Sequence, residues 1–182
     1  MDAIDIAAIR ALVAAPRDAA LDPARALDFV SHAEFGGQAL FVGRVRRHNH
    51  GRDVVAVEYD LFEPLVRTTF DAIAREAMAE VTPDLRIYVA HAHGRLEVGD
   101  IAVVVAAGSR HRDEAFRACR AVIEGVKHRA PIWKRERYID GSSEWSEGCS
   151  LCADSKKDNK QKTITNNQWS LLESHIMLSS NF

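Results

Sequence analysis

The uncharged run IAVVVAAGS at residues 101–109 constrains the fold more than any other feature of this chain. It is too short to cross a bilayer and lacks the alternation of a strand with one wet face, so it predicts a strand buried on both faces. The segment DEAFRACRAVIEGVKHR at 113–129 follows, and its apolar residues recur at helical spacing. We predict an amphipathic helix that ends before Pro131. Its expected buried face consists of Phe116, Cys119, Ile123 and Val126.

Four further segments have the alternating, β-branched or aromatic composition of strands. They are QALFVGRVR (38–46), DVVAVEYD (53–60), LRIYVAHAHG (85–94) and IWKRERYI (132–139). The stretch RHNHGR at 47–52 is typical of a hairpin loop between the first two. A second long helix begins at Pro64 and buries Val66, Phe70, Ile73 and Ala77. The resulting order predicts an α+β fold, with a mixed, mostly antiparallel sheet packed against two main helices.

Composition divides the chain into three parts. Residues 1–35 are rich in Ala and Asp and are expected to be helical or irregular, with a short helix capped by Asp22. Residues 36–145 contain the predicted strands and long helices and form the main domain. Residues 146–182 are polar with poor periodicity, which indicates a tail that is flexible or artificially appended.

The overall composition excludes several classes of protein. The 182 residues carry a formal net charge of −2, so a general nucleic-acid binder is not expected. No apolar run is long enough to span a membrane, and Asp2 and Asp5 are unlike a secretory signal, so we expect a cytoplasmic protein. Three cysteines do not make a disulfide framework. The pairs His48/His50 and His91/His93 lack the spacing of a metal site, so we expect no bound metal and no cofactor.

Cationic side chains nevertheless concentrate in three clusters, at 44–50, 109–117 and 127–136. Residues 110–137 hold nine Lys or Arg against four Asp or Glu. The cluster at 109–117 joins a strand to a helix, where free backbone N–H groups favour an anion. A solvated surface is the simplest alternative for any single cluster, but together they suggest an anionic ligand.

Lys127 and Lys134 lie on either side of APIW. On a helical wheel Lys127 falls at the boundary of the predicted buried face, where partial desolvation would favour the neutral amine that proton transfer needs. Pro131 turns the chain so that Lys134 can return towards Lys127. Trp133 is expected to anchor this turn to the core.

Three motifs together carry a family resemblance: FVGRVRRHNHG, SRHRDEAF and KHRAPIWKRE, in that order. With HGRLEVGD, they resemble the catalytic (large) subunit of molybdopterin synthase, the MoaE family, over about residues 36–140. The resemblance implies an α/β hammerhead-like fold. It also implies an enzyme that transfers sulfur to cyclic pyranopterin monophosphate and so builds the dithiolene of molybdopterin.

The same resemblance implies partners. The sulfur would come from a small ubiquitin-like carrier subunit whose C-terminal Gly-Gly ends in a thiocarboxylate. The assembly would be a heterotetramer with a central homodimer of large subunits. No nucleic acid and no membrane is expected as a partner.

The resemblance also assigns residues. Arg46, His111 and Arg112 would hold the phosphate and the pterin, and His111 and Arg112 would reach the pocket of the neighbouring protomer. Lys127 would be the general acid or base or would activate the thiocarboxylate carbonyl, and Lys134 would stabilise oxyanions. The remaining assigned residues are Arg135, which would position substrate or the partner's tail, and Glu136, which would orient a cation.

Two other functions remain open at the level of sequence. A non-catalytic, partner-binding paralogue of the same fold is possible because residues 1–35 and the tail depart from the family pattern. A nucleic-acid or nucleotide-binding module would use the same cations, but only Trp133 and Tyr138 supply aromatic rings near them.

Overall fold

A computed structural model describes residues 8–146 of the chain. It contains nine strands and three α-helices in this part. The strands are β1 (Ile9–Ala14), β2 (Gly37–Arg44), β3 (His48–Asn49), β4 (Arg52–Leu61), β5 (Leu85–Ala92), β6 (Gly94–Glu97), β7 (Ile101–Ser109), β8 (Ile132–Tyr138) and β9 (Ser143–Ser146). The helices are α1 (Pro23–Val30), α2 (Glu63–Glu80) and α3 (Arg112–Arg129).

The strands form two sheets. The first has the order β1-β5-β7-β2, in which β1 and β5 are parallel and the other pairs are antiparallel. In the second, β3, β4, β8 and β9 follow one another and β6 also pairs with β4. All pairs in the second sheet are antiparallel. The predicted α+β architecture, mostly antiparallel with two main helices, is confirmed.

The first sheet is covered on both faces, which explains the uncharged sequence of β7. Val103 and Val105 pack in one core with α2 and α3, whereas Val104 and Ala106 pack in a second core with α1. This second core also contains side chains of the second sheet, among them Val57. Both faces of β7 therefore exclude water, as the sequence predicted.

Both long helices bury one face, but the face of α3 differs from the prediction. Cys119, Ile123 and Val126 are buried as expected, whereas Phe116 is 62% exposed. The face is completed by the small side chains of Ala115, Ala118 and Val122. Small residues let α3 lie close to the sheet, and the larger ring of Phe116 is left on the outside.

Several short elements were not predicted. Residues Ile9–Ala14 were expected to be helical or irregular, but they form β1 and pair in parallel with β5. The predicted hairpin loop is a tight turn at His50 and Gly51, both with positive φ. It joins β3 to β4, whereas β2 belongs to the other sheet. The expectation that this loop links β2 directly to β4 was wrong.

The C-terminal part of the described chain forms more regular structure than its polar composition suggested. Ser143–Ser146 forms β9, which pairs with β8. The rest of the predicted tail, which includes Cys149 and Cys152, lies outside the described residues. In the described part, no helix combines the length and the hydropathy needed to cross a bilayer.

Candidate functional site

The inner face of β8 presents a buried carboxylate beside a lysine. Side chains alternate along a strand, so Lys134, Glu136 and Tyr138 lie on one face. Glu136 is only 3% exposed. The Lys134 ammonium forms an ion pair with Glu136 Oε1. The Tyr138 hydroxyl donates to Oε2 at 3.0 Å.

Strand β3 and the residues just before it extend the hydrogen bonding of this carboxylate by two side chains. Asn49 Nδ2 donates to both carboxylate oxygens of Glu136, at 2.8 and 2.9 Å. Arg46 Nη2 in turn donates to Asn49 Oδ1 at 2.7 Å. A continuous chain of hydrogen bonds therefore runs from Arg46 through Asn49 and Glu136 to Lys134.

The electrostatics of this chain keep Glu136 ionised. Burial by itself would raise the pKa of Glu136, but hydrogen bonds from Asn49 and Lys134 outweigh it, and the pKa is lowered. An ionised carboxylate with all these donors is suited to holding a cation in place. Its oxygens are occupied by donors, so it is poorly suited to accept a proton from a ligand.

Two aromatic rings adjoin the chain on the side of the first sheet. Tyr59 lies opposite Lys134 in the register of β4 and β8. Its ring meets the ring of His91 edge to face, with centroids 4.8 Å apart. Burial, together with the negative charge of Glu136, raises the pKa of Tyr59 to about 12. Burial lowers the pKa of His91 to about 4.

Lys127 lies in the last turn of α3, with its Nζ 5.8 Å from the centroid of the Phe41 ring. The side chain is exposed, so the partial desolvation predicted for it is wrong for the single chain. The reason is the shifted buried face of α3. At about 100° per residue, Lys127 lies about 110° from the centre of the six positions that α3 buries. The predicted face, which included Phe116, placed Lys127 closer to its centre.

Phe41 and His91, the ring contacts of Lys127 and Tyr59, nevertheless lie on one face of the first sheet. Phe41, below Lys127, is paired with Val105, and His91, beside Tyr59, is paired with Val103. Val103 and Val105 share one face of β7, two residues apart, which is about 7 Å along the strand. Phe41 and His91 therefore lie on the same face of the sheet, on the two strands that flank β7.

His111 and Arg112 lie elsewhere. They stand at the start of α3, whereas Lys127 is in its last turn, 15 residues beyond Arg112. With a rise of about 1.5 Å per residue, this is a separation of about 22 Å along the axis. Both side chains are exposed. A Cβ at Gly37 would approach the Arg112 backbone to 2.8 Å, so β2 packs directly against this end of the helix. One chain does not bring this pair to Lys127.

Arg135 also points away from the carboxylate chain, because it alternates with Lys134 and Glu136. Arg135 Nε donates to Glu58 Oε2 at 2.8 Å, and Arg137 donates to Glu58 Oε1. The Arg135 guanidinium also lies over the Trp145 ring, 5.0 Å from its centroid. Within one chain, Arg135 is therefore separated from Lys134. Its expected role in positioning a ligand stays a prediction.

The neighbouring Trp133 was expected to anchor the turn to the core. It is 55% exposed, so this expectation was wrong. Ile132, partly buried against the core of α2 and α3, takes that place. Cys119 is buried as predicted, and burial raises the pKa of its thiol to about 11. No group of three or more His, Cys, Asp or Glu side chains within residues 8–146 is placed to hold a metal ion.

Comparison with known proteins identifies the family of this chain. The family model described as MoaE protein matches residues 16–129. The chain belongs to the MoaE family. The molybdopterin synthase catalytic subunit of Synechococcus elongatus is 46% identical over 136 residues, which cover 75% of this chain and 82% of that protein. Catalytic subunit 1 of Mycobacterium tuberculosis is 46% identical over 118 residues, which cover 64% of this chain and 78% of that protein.

Solved MoaE structures share the fold. The crystal structure of molybdopterin synthase from Staphylococcus aureus superposes with a TM-score of 0.68 and 29% identity. The superposition covers 75% of this chain and 96% of that one. The α+β fold described above is therefore the fold of a MoaE protein.

In this MoaE protein, sequence reasoning missed four residues that complete the carboxylate site. Asn49 and Tyr138 bind Glu136, while Tyr59 and His91 line its side. Alternation along IWKRERY was the available signal for Tyr138. Asn49, in the segment HNHG, was used only to predict a turn. His91 was considered only as a metal ligand. Strand pairing within the second sheet joins Asn49, Tyr59 and Tyr138, and a ring contact joins Tyr59 to His91 of the first sheet.

Proposed function

We propose that this chain is the catalytic subunit of a molybdopterin synthase. It would transfer sulfur from the C-terminal thiocarboxylate of a small ubiquitin-like carrier subunit to cyclic pyranopterin monophosphate. The hydrogen-bonded chain from Arg46 to Lys134 is the observation that carries the proposal. Membership of the MoaE family supports it. The cytoplasm is the proposed location.

Lys134 and Glu136 have the clearest roles. The carboxylate of Glu136 holds the ammonium of Lys134 in one position, so that it can stabilise oxygen anions that form during sulfur transfer. Asn49 and Tyr138 hold the carboxylate itself. Glu136 is therefore an orienting residue.

Lys127 is the proposed general acid or base. Its exposure in a single chain is consistent with a pocket that becomes dry only when partner subunits cover it. A thiocarboxylate sulfur attacks a carbon of the substrate, the carbon–oxygen bond at that carbon breaks, and the departing oxygen takes up a proton, which leaves a thioester between carrier and substrate. Water then cleaves the carbon–sulfur bond to the carrier, which leaves the sulfur on the substrate and a carboxylate on the carrier. Lys127 would move protons in these steps.

A second copy of the chain is part of the proposal. His111 and Arg112 lie about 22 Å along α3 from Lys127, by the helical rise of about 1.5 Å per residue, so they can serve a Lys127 pocket only from another protomer. Arg46 would bind the substrate phosphate from within the chain. The proposed assembly is a homodimer within a heterotetramer with two small subunits.

The test is synthase activity reconstituted from purified chain, thiocarboxylated small subunit and cyclic pyranopterin monophosphate. We expect molybdopterin only when all three are present. Lys127→Ala and Lys134→Ala should each lower the rate by about 100-fold or more, the usual contribution of a positioned acid–base or oxyanion group.

Arg120→Ala is the matched control, since Arg120 is an exposed cation on the same helix as Lys127. It should keep the wild-type rate. Full activity of Lys127→Ala would refute the role given to Lys127. A wild-type chain that binds the small subunit but forms no molybdopterin would instead identify a non-catalytic paralogue.

A further inference from the structure

The proposed substrate site is rich in hydrogen-bond donors and poor in acceptors. Arg46, Lys127 and Lys134 can only donate. The acceptor oxygens of Glu136 already receive Asn49, Tyr138 and Lys134. A phosphate suits such donors, but a pterin ring also carries N–H groups, which need acceptors. The described site therefore requires acceptor atoms beyond the residues assigned so far.

His91 provides one. Its side chain is buried, at 7% exposure, and its Nδ1 lies 2.7 Å from the carbonyl oxygen of Ala92. A carbonyl can only accept, so the ring proton is on Nδ1. Burial lowers the pKa of His91 to about 4, so the ring is neutral near pH 7. Nε2 therefore carries a lone pair, and none of the hydrogen bonds within residues 8–146 uses it.

Tyr59 provides a second group beside the first. Its ring meets the His91 ring at an interplanar angle of 85°, and its backbone lies opposite Lys134. The pKa of Tyr59 is raised to about 12, so the hydroxyl keeps its proton and can both donate and accept. Within residues 8–146, no hydrogen bond of this hydroxyl is present, and no buried side-chain N or O atom there lacks a partner, so the Tyr59 oxygen reaches solvent and is open to a ligand.

The edge-to-face arrangement fixes both groups. The T-shaped contact prevents either ring from turning independently, and the bond to Ala92 holds the imidazole tautomer. Tyr59 is paired with Lys134 in the second sheet, and His91 lies on β5 of the first sheet. The His91 and Tyr59 rings therefore form a rigid, neutral surface next to the cation of Lys134.

We propose that His91 Nε2 and the Tyr59 hydroxyl accept hydrogen bonds from the N–H groups of the pterin ring and thereby select and orient the substrate beside Lys134. This inference rests on the proposed function. The cationic side chains would bind the phosphate of the substrate, while His91 and Tyr59 would recognise its pterin ring. A ligand without ring N–H donors would displace water from these acceptors without replacing its hydrogen bonds and would be bound less well.

Two pairs of variants separate recognition from structure. His91→Asn can keep a donor near Nδ1 for Ala92 but has no atom at the position of Nε2, whereas His91→Gln can place an amide oxygen near that position. Tyr59→Phe removes only the hydroxyl. Each is assayed as the full chain with its thiocarboxylated small subunit, and binding of cyclic pyranopterin monophosphate is measured by calorimetry.

We expect His91→Asn and Tyr59→Phe each to weaken precursor binding and raise its KM about tenfold, as expected for the loss of one or two hydrogen bonds. The KM for the small subunit should stay unchanged, and His91→Gln should recover most of the affinity. A merely structural role would alter both KM values together and would not be rescued by Gln.

The inference is overturned if His91→Asn and Tyr59→Phe, shown by thermal melting to be folded, bind the precursor as the wild type does. If His91→Asn does not fold, unchanged affinity in Tyr59→Phe is sufficient to overturn it. Failure of the proposed function looks different, because then the wild-type chain itself neither binds the precursor nor forms molybdopterin.

Discussion

The two faces of β8 use the same kinds of side chain in opposite ways. On the inner face, Glu136 is 3% exposed and is held by Asn49, Tyr138 and Lys134. On the outer face, Glu58 of β4 has a side chain 22% exposed and is held by Arg135 and Arg137. Each face therefore has one carboxylate at the centre of a set of donors.

The two faces differ in the charge of the hydrogen-bond donors and in the solvent exposure of the carboxylate. Inside, most donors are neutral, and a single ammonium supplies the charge. Outside, two guanidiniums share one carboxylate near solvent, where ion pairs contribute little. We infer that the inner carboxylate determines both stability and the position of Lys134, whereas the outer one chiefly ties β4 to β8.

Removal of the inner carboxylate should have the largest effect. Glu136→Ala leaves Asn49 and Tyr138 without their partner and Lys134 without its counter-ion. We expect the free energy of unfolding to fall by about 3–5 kcal/mol, as for other broken buried pairs. Urea unfolding monitored by circular dichroism would measure it. A loss below about 1 kcal/mol, the scale of an exposed pair, would show that the inner network is not the stronger one.

The second-largest effect should be a loss of folding stability at acid pH, which we assign to His91. The folded chain holds the pKa of His91 at about 4, below the value near 6.5 of an exposed imidazole, so the unfolded state takes up a proton first as pH falls. This contribution to stability is complete above about pH 6.5 and is lost towards pH 4. Between pH 7 and pH 5 the loss should be about 2 kcal/mol, before the carboxylates titrate.

His93 supplies the control for this acid response, since it is exposed two residues away. Urea unfolding at pH 7 and pH 5 should show the slope in the wild type and in His93→Gln, but a flatter one in His91→Gln. An equal slope in all three proteins would contradict the assignment to His91.

The outer face should give the smallest effect. Glu58→Ala should lower the free energy of unfolding by about 1 kcal/mol or less, because its ion pairs are partly exposed. Added salt should shrink the difference between Glu58→Ala and the wild type. A loss as large as that of Glu136→Ala would erase the distinction between the two faces.

Long, regular elements could be predicted from the sequence because their patterns are strong. The run at β7 was uncharged because helices cover both of its faces, and α2 buries Val66, Phe70, Ile73 and Ala77 at the predicted spacing. Short edge elements could not. β1 and β9 are stabilised by pairing with β5 and β8, and their own sequences carry little strand signal.

Aromatic residues were the main source of error. Phe116 and Trp133 were assigned to the core because large apolar rings usually lie there, and both are more than half exposed. The space against α3 is filled by small residues such as Ala115 and Ala118. The distance between helix and sheet determines which apolar side chain fits between them. This distance cannot be read from the spacing of apolar residues within one segment.

The sequence by itself determined the order of the main strands and helices, the family motifs and the identity of the cationic residues. Their arrangement depended on pairing between distant segments. Asn49 meets Glu136, 87 residues away, because β4 lies between the β3 turn and β8. Alternation along β8 then puts Lys134 with Glu136 and turns Arg135 outwards. Side-chain identity is local information, whereas a site assembled across two sheets is a property of the tertiary structure alone.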